Sequence, residues 1–295
     1  MVKIRFGVSL GADTGPEHLG AIVDRLEAAD VDSLWFSELV YSKAVDPFVG
    51  MAFALGRTQR LKVGTSVAVL PGGRHPVLVA KTLASLAALG PKRVLPAFGL
   101  RSAIPSEREI FAVPDGQRAA VFDESLQLLR AALAGDDVDF AGDFFTVTGA
   151  GVGDPTAVPL DIWLGGSAPA AFRRIGRFGD GWLGSFLTPD EARRAREQIQ
   201  AEAAQVGREI EPDHFGISLA VAEGGLGAEA VAAIRSRRPD VEPADLIAGS
   251  WADLHRQLDG YIAAGLTKFV VRPAGPTGAD EFIDRFIAEL LPREN

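Results

Sequence analysis

Cysteine is absent from the 295-residue chain, so no thiol nucleophile, cysteine-ligated zinc, iron–sulfur cluster or disulfide takes part in its chemistry. Histidine is nearly as scarce, with four residues, and no Asp, Glu or second His stands at ligand spacing from any of them. No metal site is expected. His18 falls at a helix start, His214 at a strand start and His255 beside the apolar stripe of a helix. Only His75, in the loop after the third strand, is a site candidate, as a substrate contact. Long apolar runs are missing too: those present are broken by Lys81 or by glycines well short of a bilayer span, and Met1 to Gly7 runs straight into a strand without a signal peptide. A soluble cytoplasmic protein is expected, without a membrane partner. Basic excess is also lacking, since 39 acidic residues outnumber 30 basic ones for a net charge of −9. With no basic stripe interleaved with aromatics, the expected partner is a small molecule rather than nucleic acid. There is no Walker lysine, no Gly-x-Ser-x-Gly elbow and no His-Glu-x-x-His. Gly149-Ala150-Gly151-Val152-Gly153 follows no strand and opens no helix, so it is no dinucleotide fingerprint.

What is present suits one large domain over residues 1–295: 47% hydrophobic residues, 33 glycines and 18 prolines give a sizeable core and many turns. Alternating or short apolar runs predict strands at Ile4–Leu10, Ser33–Ser37, Leu61–Val69, Arg93–Phe98, Pro159–Leu164, Gly181–Leu183, His214–Val221 and Lys268–Arg272. Helical periodicity lies between them. The helix from Pro47 to Leu55 has little polar face, and the one from Pro76 to Leu89 is apolar almost all round and is expected to be well buried. Two longer intervals interrupt the alternation. One, after the fourth strand, holds a polar loop from Arg101 to Gln117, a helix with Phe122, Leu126, Leu129 and Leu133, and a hairpin around Phe140–Phe145; the other spans Glu223 to Gly249. Strand and helix alternating at roughly 30-residue spacing predict a (β/α)8 TIM barrel with insertions after strands 4 and 7.

In such a barrel the site lies at the C-terminal strand ends. Those ends carry Glu38, Ser66-Val67, Phe98-Gly99, Gly165-Gly166-Ser167, Gly184-Ser185 and Arg272. The stretch from Pro159 to Ser185 is the most informative: an apolar strand meets two glycines, Ser167 stands where it can cap the next helix, and a second strand ends in Gly184-Ser185. Free N–H groups at a helix start bind anions without a basic side chain, so this is an anion cradle or a plain strand-to-helix turn. Glu38 is an acid–base candidate or a rim ion pair. Arg272, followed by Pro273, holds an anionic group or neutralises a carboxylate. A barrel with an anion cradle and no evident catalytic dyad points to a cofactor that carries the chemistry.

These residues bring a resemblance. Ser33-Leu34-Trp35-Phe36-Ser37-Glu38, Gly64-Thr65-Ser66-Val67, His75-Pro76, Ala80-Lys81, Pro159 to Gly166 and Gly176-Arg177-Phe178-Gly179-Asp180-Gly181-Trp182 together resemble the bacterial-luciferase-like flavin and deazaflavin oxidoreductases over nearly the whole length, most closely the coenzyme F420 branch. The resemblance implies a hydride transfer with a small organic substrate, a homodimer, and a non-prolyl cis peptide at Ser66-Val67 backing the cofactor ring. It also implies cofactor contacts from Phe98 and Gly99 and a phosphate cradle from Gly165, Gly166, Ser167, Gly184 and Ser185; His75 and Arg272 are the substrate-contact candidates by position. FMN in a monooxygenase is the nearest alternative. A phosphate-binding lyase or isomerase, or a cofactor-binding protein without turnover, are the others.

Two departures bear on the substrate. Phe98 and Leu100 stand where the family often has a glycine-rich run, and are expected to narrow that side of the pocket. Leu39 and Ser102 stand near the positions of the His and Glu of the deazaflavin-linked sugar-phosphate dehydrogenases, which argues against sugar-phosphate oxidation.

Overall fold

The computed structural model describes residues 3–102, 104–135, 137–153, 160–275 and 277–295; Pro159, at the head of the cradle stretch, lies outside them. In chain order the elements are β1 (Arg5–Ser9), α1 (Pro16–Ala28), β2 (Ser33–Phe36), α2 (Pro47–Arg57), β3 (Lys62–Thr65), β4 (Ala68–Val69), α3 (Pro76–Leu89), β5 (Val94–Leu95) and β6 (Ala97–Gly99). A 3-10 turn (Pro105–Phe111), α4 (Arg118–Ala134) and the hairpin β7 (Val138–Ala141) and β8 (Thr146–Ala150) form the first insertion. Then come β9 (Trp163–Gly165), α5 (Pro169–Phe178), β10 (Gly181–Ser185), α6 (Pro189–Gln205) and β11 (Phe215–Val221). The second insertion holds α7 (Ala228–Arg237) and α8 (Pro243–Leu246), before α9 (Trp251–Ala263), β12 (Lys268–Pro273) and α10 (Ala279–Leu290). Proline recurs at the first turn of these helices, where its fixed φ suits the helix and its missing N–H costs nothing.

The large sheet is parallel and joins ten segments in the order β4-β6-β9-β10-β11-β12-β1-β2-β3-β5. Its two ends are one place, because β4 continues β3 and β6 continues β5. Val63 pairs with Val94 below the breaks, Ala68 with Phe98 above them, and Ala97 with Trp163 on the far side. Eight staves therefore close into the expected barrel. The breaks shorten two predicted strands: Leu61–Val69 is interrupted by Ser66-Val67, and Arg93–Phe98 by Pro96, which has no N–H for the ladder. Among the described residues no helix is long and apolar enough to cross a membrane.

The barrel interior is filled by two tryptophans from opposite walls. Trp35 and Trp163 are fully buried with ring centroids 6.5 Å apart, packed with Ala97, Leu183 and Val270. Glycine makes their room. A Cβ on Gly7 or Gly64 would come within 2.5 or 2.6 Å of Trp35, and one on Gly181 within 2.5 Å of Trp163. Each ring removes roughly 150–250 Å² from water, so these glycines trade strand propensity for core.

One expectation fails in a useful way. The helix from Pro76 to Leu89 forms over those residues, but Leu78 and Leu89 are each 65% exposed, and on α2 Val49 and Phe53 are exposed as well. The barrel wall covers only one side of a helix, so an all-round apolar helix keeps one bare face.

Candidate functional site

Strand alternation decides which residues reach the mouth. Residues two beyond the interior layer are Ser9, Ser37, Ser66, Gly99, Gly165, Ser185, Ser218 and Arg272. Three of them form a polar floor: the Ser66 hydroxyl lies 3.3 Å from that of Ser9 and 3.1 Å from that of Ser37, and Ser37 also donates to the Ser66 carbonyl at 3.1 Å. The Ser66-Val67 peptide is cis. Val67 leans across the next two strand ends, where a Cβ on Gly99 would come to 2.5 Å of its Cγ2 and one on Gly165 to 3.2 Å of its Cγ1.

Phe98 does not reach this surface. It is 1% exposed and packs in the layer between strands and helices, because the residue beside inward-facing Gly99 must point outward. Leu100 likewise packs against that layer, so neither side chain narrows the pocket.

Around the cradle, Gly166 has a φ of 133°, a conformation open to glycine, and its carbonyl accepts from Trp182 Nε1 at 2.9 Å. Ser167 is exposed and does not cap α5; Ala168 occupies that position without a side-chain bond, since Pro169 starts the helix one residue later than a Ser167 cap would need. The N–H groups of the helix start are left to other partners. Gly184 is small for packing reasons, its absent Cβ leaving 2.6 Å to the Trp182 ring, so of that pair Ser185 faces the mouth.

Glu38 is buried and already engaged: it accepts from the Val69 N–H at 2.6 Å and pairs with Arg74, which also holds Asp46 at 2.7 Å. His75 is exposed at the start of α3, where Nδ1 accepts from the Val77 N–H at 3.3 Å and the ring meets Phe145 of the hairpin edge-on at 5.4 Å. Arg272 has no carboxylate partner among the described residues; its one bond goes to the Pro273 carbonyl at 3.4 Å, and burial lowers its pKa.

Three site residues escape a sequence reading. Arg101 leaves β6 two residues past Gly99, beside the strand end that carries the cradle, and Arg118 opens α4. Neither has a carboxylate partner among the described residues, and Arg118 Nη1 is buried without a hydrogen bond. Burial first, and then the charge of Arg101, lowers the Arg118 pKa. A cation at a helix N-terminus opposes the helix dipole, so this arrangement wants an anion. Their sequence signal was only two arginines, one at the start of a polar loop and one just past its end. The third is Glu107, fully buried, accepting from the Tyr41 N–H at 2.7 Å and the Ser102 hydroxyl at 2.8 Å, which seats the first insertion on the loop after β2.

The orphaned Arg118 nitrogen lacks an acceptor of the kind that a deazaflavin or flavin phosphate would supply. Beside the floor, Leu39 joins Leu10, Thr14, Ala44 and Val45 around a small apolar hollow.

Residues 1–266 match the luciferase-like monooxygenase family. An F420-dependent glucose-6-phosphate dehydrogenase of Beutenbergia cavernae is 27% identical over 331 aligned positions, covering 98% of this chain and 97% of that one. Among solved structures, the coenzyme F420-dependent tetrahydromethanopterin reductase of Methanopyrus kandleri superposes with a TM-score of 0.78 at 16% identity, covering 99% of this chain and all of the other (100%). The FMN complex of the oxygenating constituent of 3,6-diketocamphane monooxygenase from Pseudomonas putida does so at 0.73 and 15%, covering 99% of both chains.

Proposed function

The chain belongs to the luciferase-like monooxygenase family and is an oxidoreductase, and from that premise we propose that it transfers hydride between coenzyme F420 and a small organic substrate. The observation that carries the reading is a glycine-lined strand end beside the one that Arg101 follows, at one mouth with a serine floor over two tryptophans. The bound deazaflavin would supply a ring carbon that takes or gives hydride without activating oxygen.

The rest is the work of the chain. Backbone N–H groups at Gly165, Gly166 and Ser167, with Ser185, would hold the phosphate, and Arg101 and Arg118 would neutralise it. Val67 would back the ring, and the Ser9, Ser37 and Ser66 hydroxyls offer donors beneath it. Burial of Trp35 and Trp163 under this floor excludes water from below. Glu38 is the residue assigned to the proton. Leu39, standing near the position of the dehydrogenases' His, supports a substrate other than a sugar phosphate. Arg272 would meet an anionic group on it. The bare apolar faces of α2 and α3 support a homodimer formed through them.

Titrating apo-protein with coenzyme F420 and with FMN, while following tryptophan fluorescence, tests the cofactor. Quenching is expected with the deazaflavin, because two of the four tryptophans lie directly under the floor. Tight FMN binding with no response to the deazaflavin would replace the proposal with a flavin monooxygenase.

A further inference from the structure

Glu107 stands in the 3-10 turn of the first insertion as a fully buried carboxylate, with no cation paired to it among the described residues. Its two oxygens are divided between loops. Oε1 accepts from the Tyr41 N–H at 2.7 Å and Oε2 from the Ser102 hydroxyl at 2.8 Å, while Ser102 itself accepts from the Ile104 N–H at 3.1 Å. Ser102 and Ile104 belong to the loop that carries Glu107, whereas Tyr41 lies in the loop after β2, shortly past Glu38. The β3–β4 stave lies between β2 and the β5–β6 stave. The Glu107–Tyr41 bond therefore joins the loops on either side of the stave that carries Ser66-Val67.

Both loops are also fastened to the one between them, after β4. Phe111, at the far end of the 3-10 turn, is buried against Gly72 and Gly73, where a Cβ would come within 2.6 Å of the Ala112 carbonyl oxygen and 3.0 Å of the Phe111 ring respectively. The loop after β2 reaches the same segment through Glu38 and Asp46, both held by Arg74. All three loops leave C-terminal strand ends, so they form one fastened arc on the rim of the mouth. Glu107 is its buried cross-tie.

A buried carboxylate without a cation tolerates the loss of neither donor, because the oxygen left bare stays out of reach of water. Lifting the loop after β2 alone would leave Oε1 in that state. The opening of lower energy draws Glu107 out into water, and the 3-10 turn moves with it. Resting on the oxidoreductase reading, we infer that Glu107 is a positioning residue that makes the loop after β2 and the first insertion open over the mouth as one unit. It acts through the Tyr41 backbone, touches no ligand itself, and so controls access to Glu38.

Hydrogen exchange of the unliganded protein, read by NMR at single amides, tests the coupling. The Tyr41, Ile104 and Glu107 amides are all hydrogen-bonded, and in the native protein they are expected to share one opening equilibrium. Glu107→Ala should speed all three together by about tenfold or more, and Glu107→Gln, whose carbonyl can still accept from Tyr41, should restore most of the protection. Ser102→Ala is the milder variant where Glu107→Ala does not fold. It strands Oε2 and should speed exchange at Tyr41, on the other loop, by roughly several-fold. A Tyr41 amide indifferent to Ser102→Ala, or one that alone responds to Glu107→Ala, overturns the inference and leaves Glu107 a local anchor. A second arm follows coenzyme F420 by stopped-flow fluorescence in Glu107→Ala. Association and dissociation should both quicken, by roughly several-fold, with affinity held within about twofold. Weaker affinity at an unchanged association rate would put Glu107 in the binding surface and overturn the gating role. Failure of the unaltered protein to bind any deazaflavin or flavin removes the cofactor reading alone, because the exchange measurement needs no ligand.

Discussion

Val67 occupies the space that Gly99 leaves by having no side chain: a Cβ at Gly99 would stand 2.5 Å from Val67 Cγ2. Both residues lie at the barrel mouth, so the contact fixes the surface on which a cofactor ring would rest. Gly99→Ala is expected to displace Val67 and destabilise the fold by about 1–3 kcal/mol, as overpacking does. Cofactor affinity should fall with it. Denaturant unfolding and a fluorescence titration measure the two effects, and an unchanged titration would remove Val67 from the ring site.

Glu38→Gln keeps the shape at the end of β2 and can still accept from the Val69 N–H, but loses the charge that Arg74 pairs with. Cofactor binding should stay within about twofold while turnover drops roughly 100-fold, the usual scale of a lost general base. Steady-state kinetics with a cofactor titration separate the two. Equal turnover in the variant would leave Glu38 as a rim ion pair only.

Ser167→Glu adds a charge at an exposed position, so the melting temperature should hold. Repulsion of the phosphate from the cradle should weaken coenzyme F420 by about tenfold or more. A deazaflavin analogue without the phosphate should bind both proteins alike. Equal loss for both compounds would mean that the cradle is not a phosphate site.

At the opposite end of the barrel, Asp32 bonds Lys62 at 2.7 Å and Lys268 at 2.8 Å. Burial pushes its pKa up, yet the two lysines outweigh burial and bring it from 3.8 to about 2. A carboxylate whose pKa is lowered by folding adds stability above its unfolded value and loses it as pH falls toward the folded one. The Asp32 contribution, about 2 kcal/mol, should therefore be complete above roughly pH 4 and vanish by about pH 2. Asp32→Asn should flatten that part of a stability profile and cost about 3–5 kcal/mol at neutral pH by stranding Lys268. An unchanged acid limb would exclude Asp32 as its source.

Phe53 and Leu78 belong to the bare face of α2 and α3. Phe53→Glu with Leu78→Glu should leave the barrel folded and turn a dimer into a monomer by light scattering. A native protein that is already monomeric would refute this interface.

The sequence alone determined the barrel, its two insertions and the helix starts, because period-two and helical patterns and N-terminal prolines are local signals. Ser66-Val67 and the cradle glycines stood out for the same reason, since glycine and small residues at strand ends are visible in one dimension. Tertiary structure decided the rest. Whether Phe98 faces a ligand or the core depends on strand rotation about Gly99, and whether Gly184 serves a ligand or a tryptophan ring depends on its neighbour in space. Charge compensation was out of reach: Arg101 and Arg118 look like any other arginines, and the two readings of Arg272 stay open, until the fold shows which have a carboxylate beside them. Pairing depends on distances between residues far apart in the chain, and only the closed barrel sets those distances.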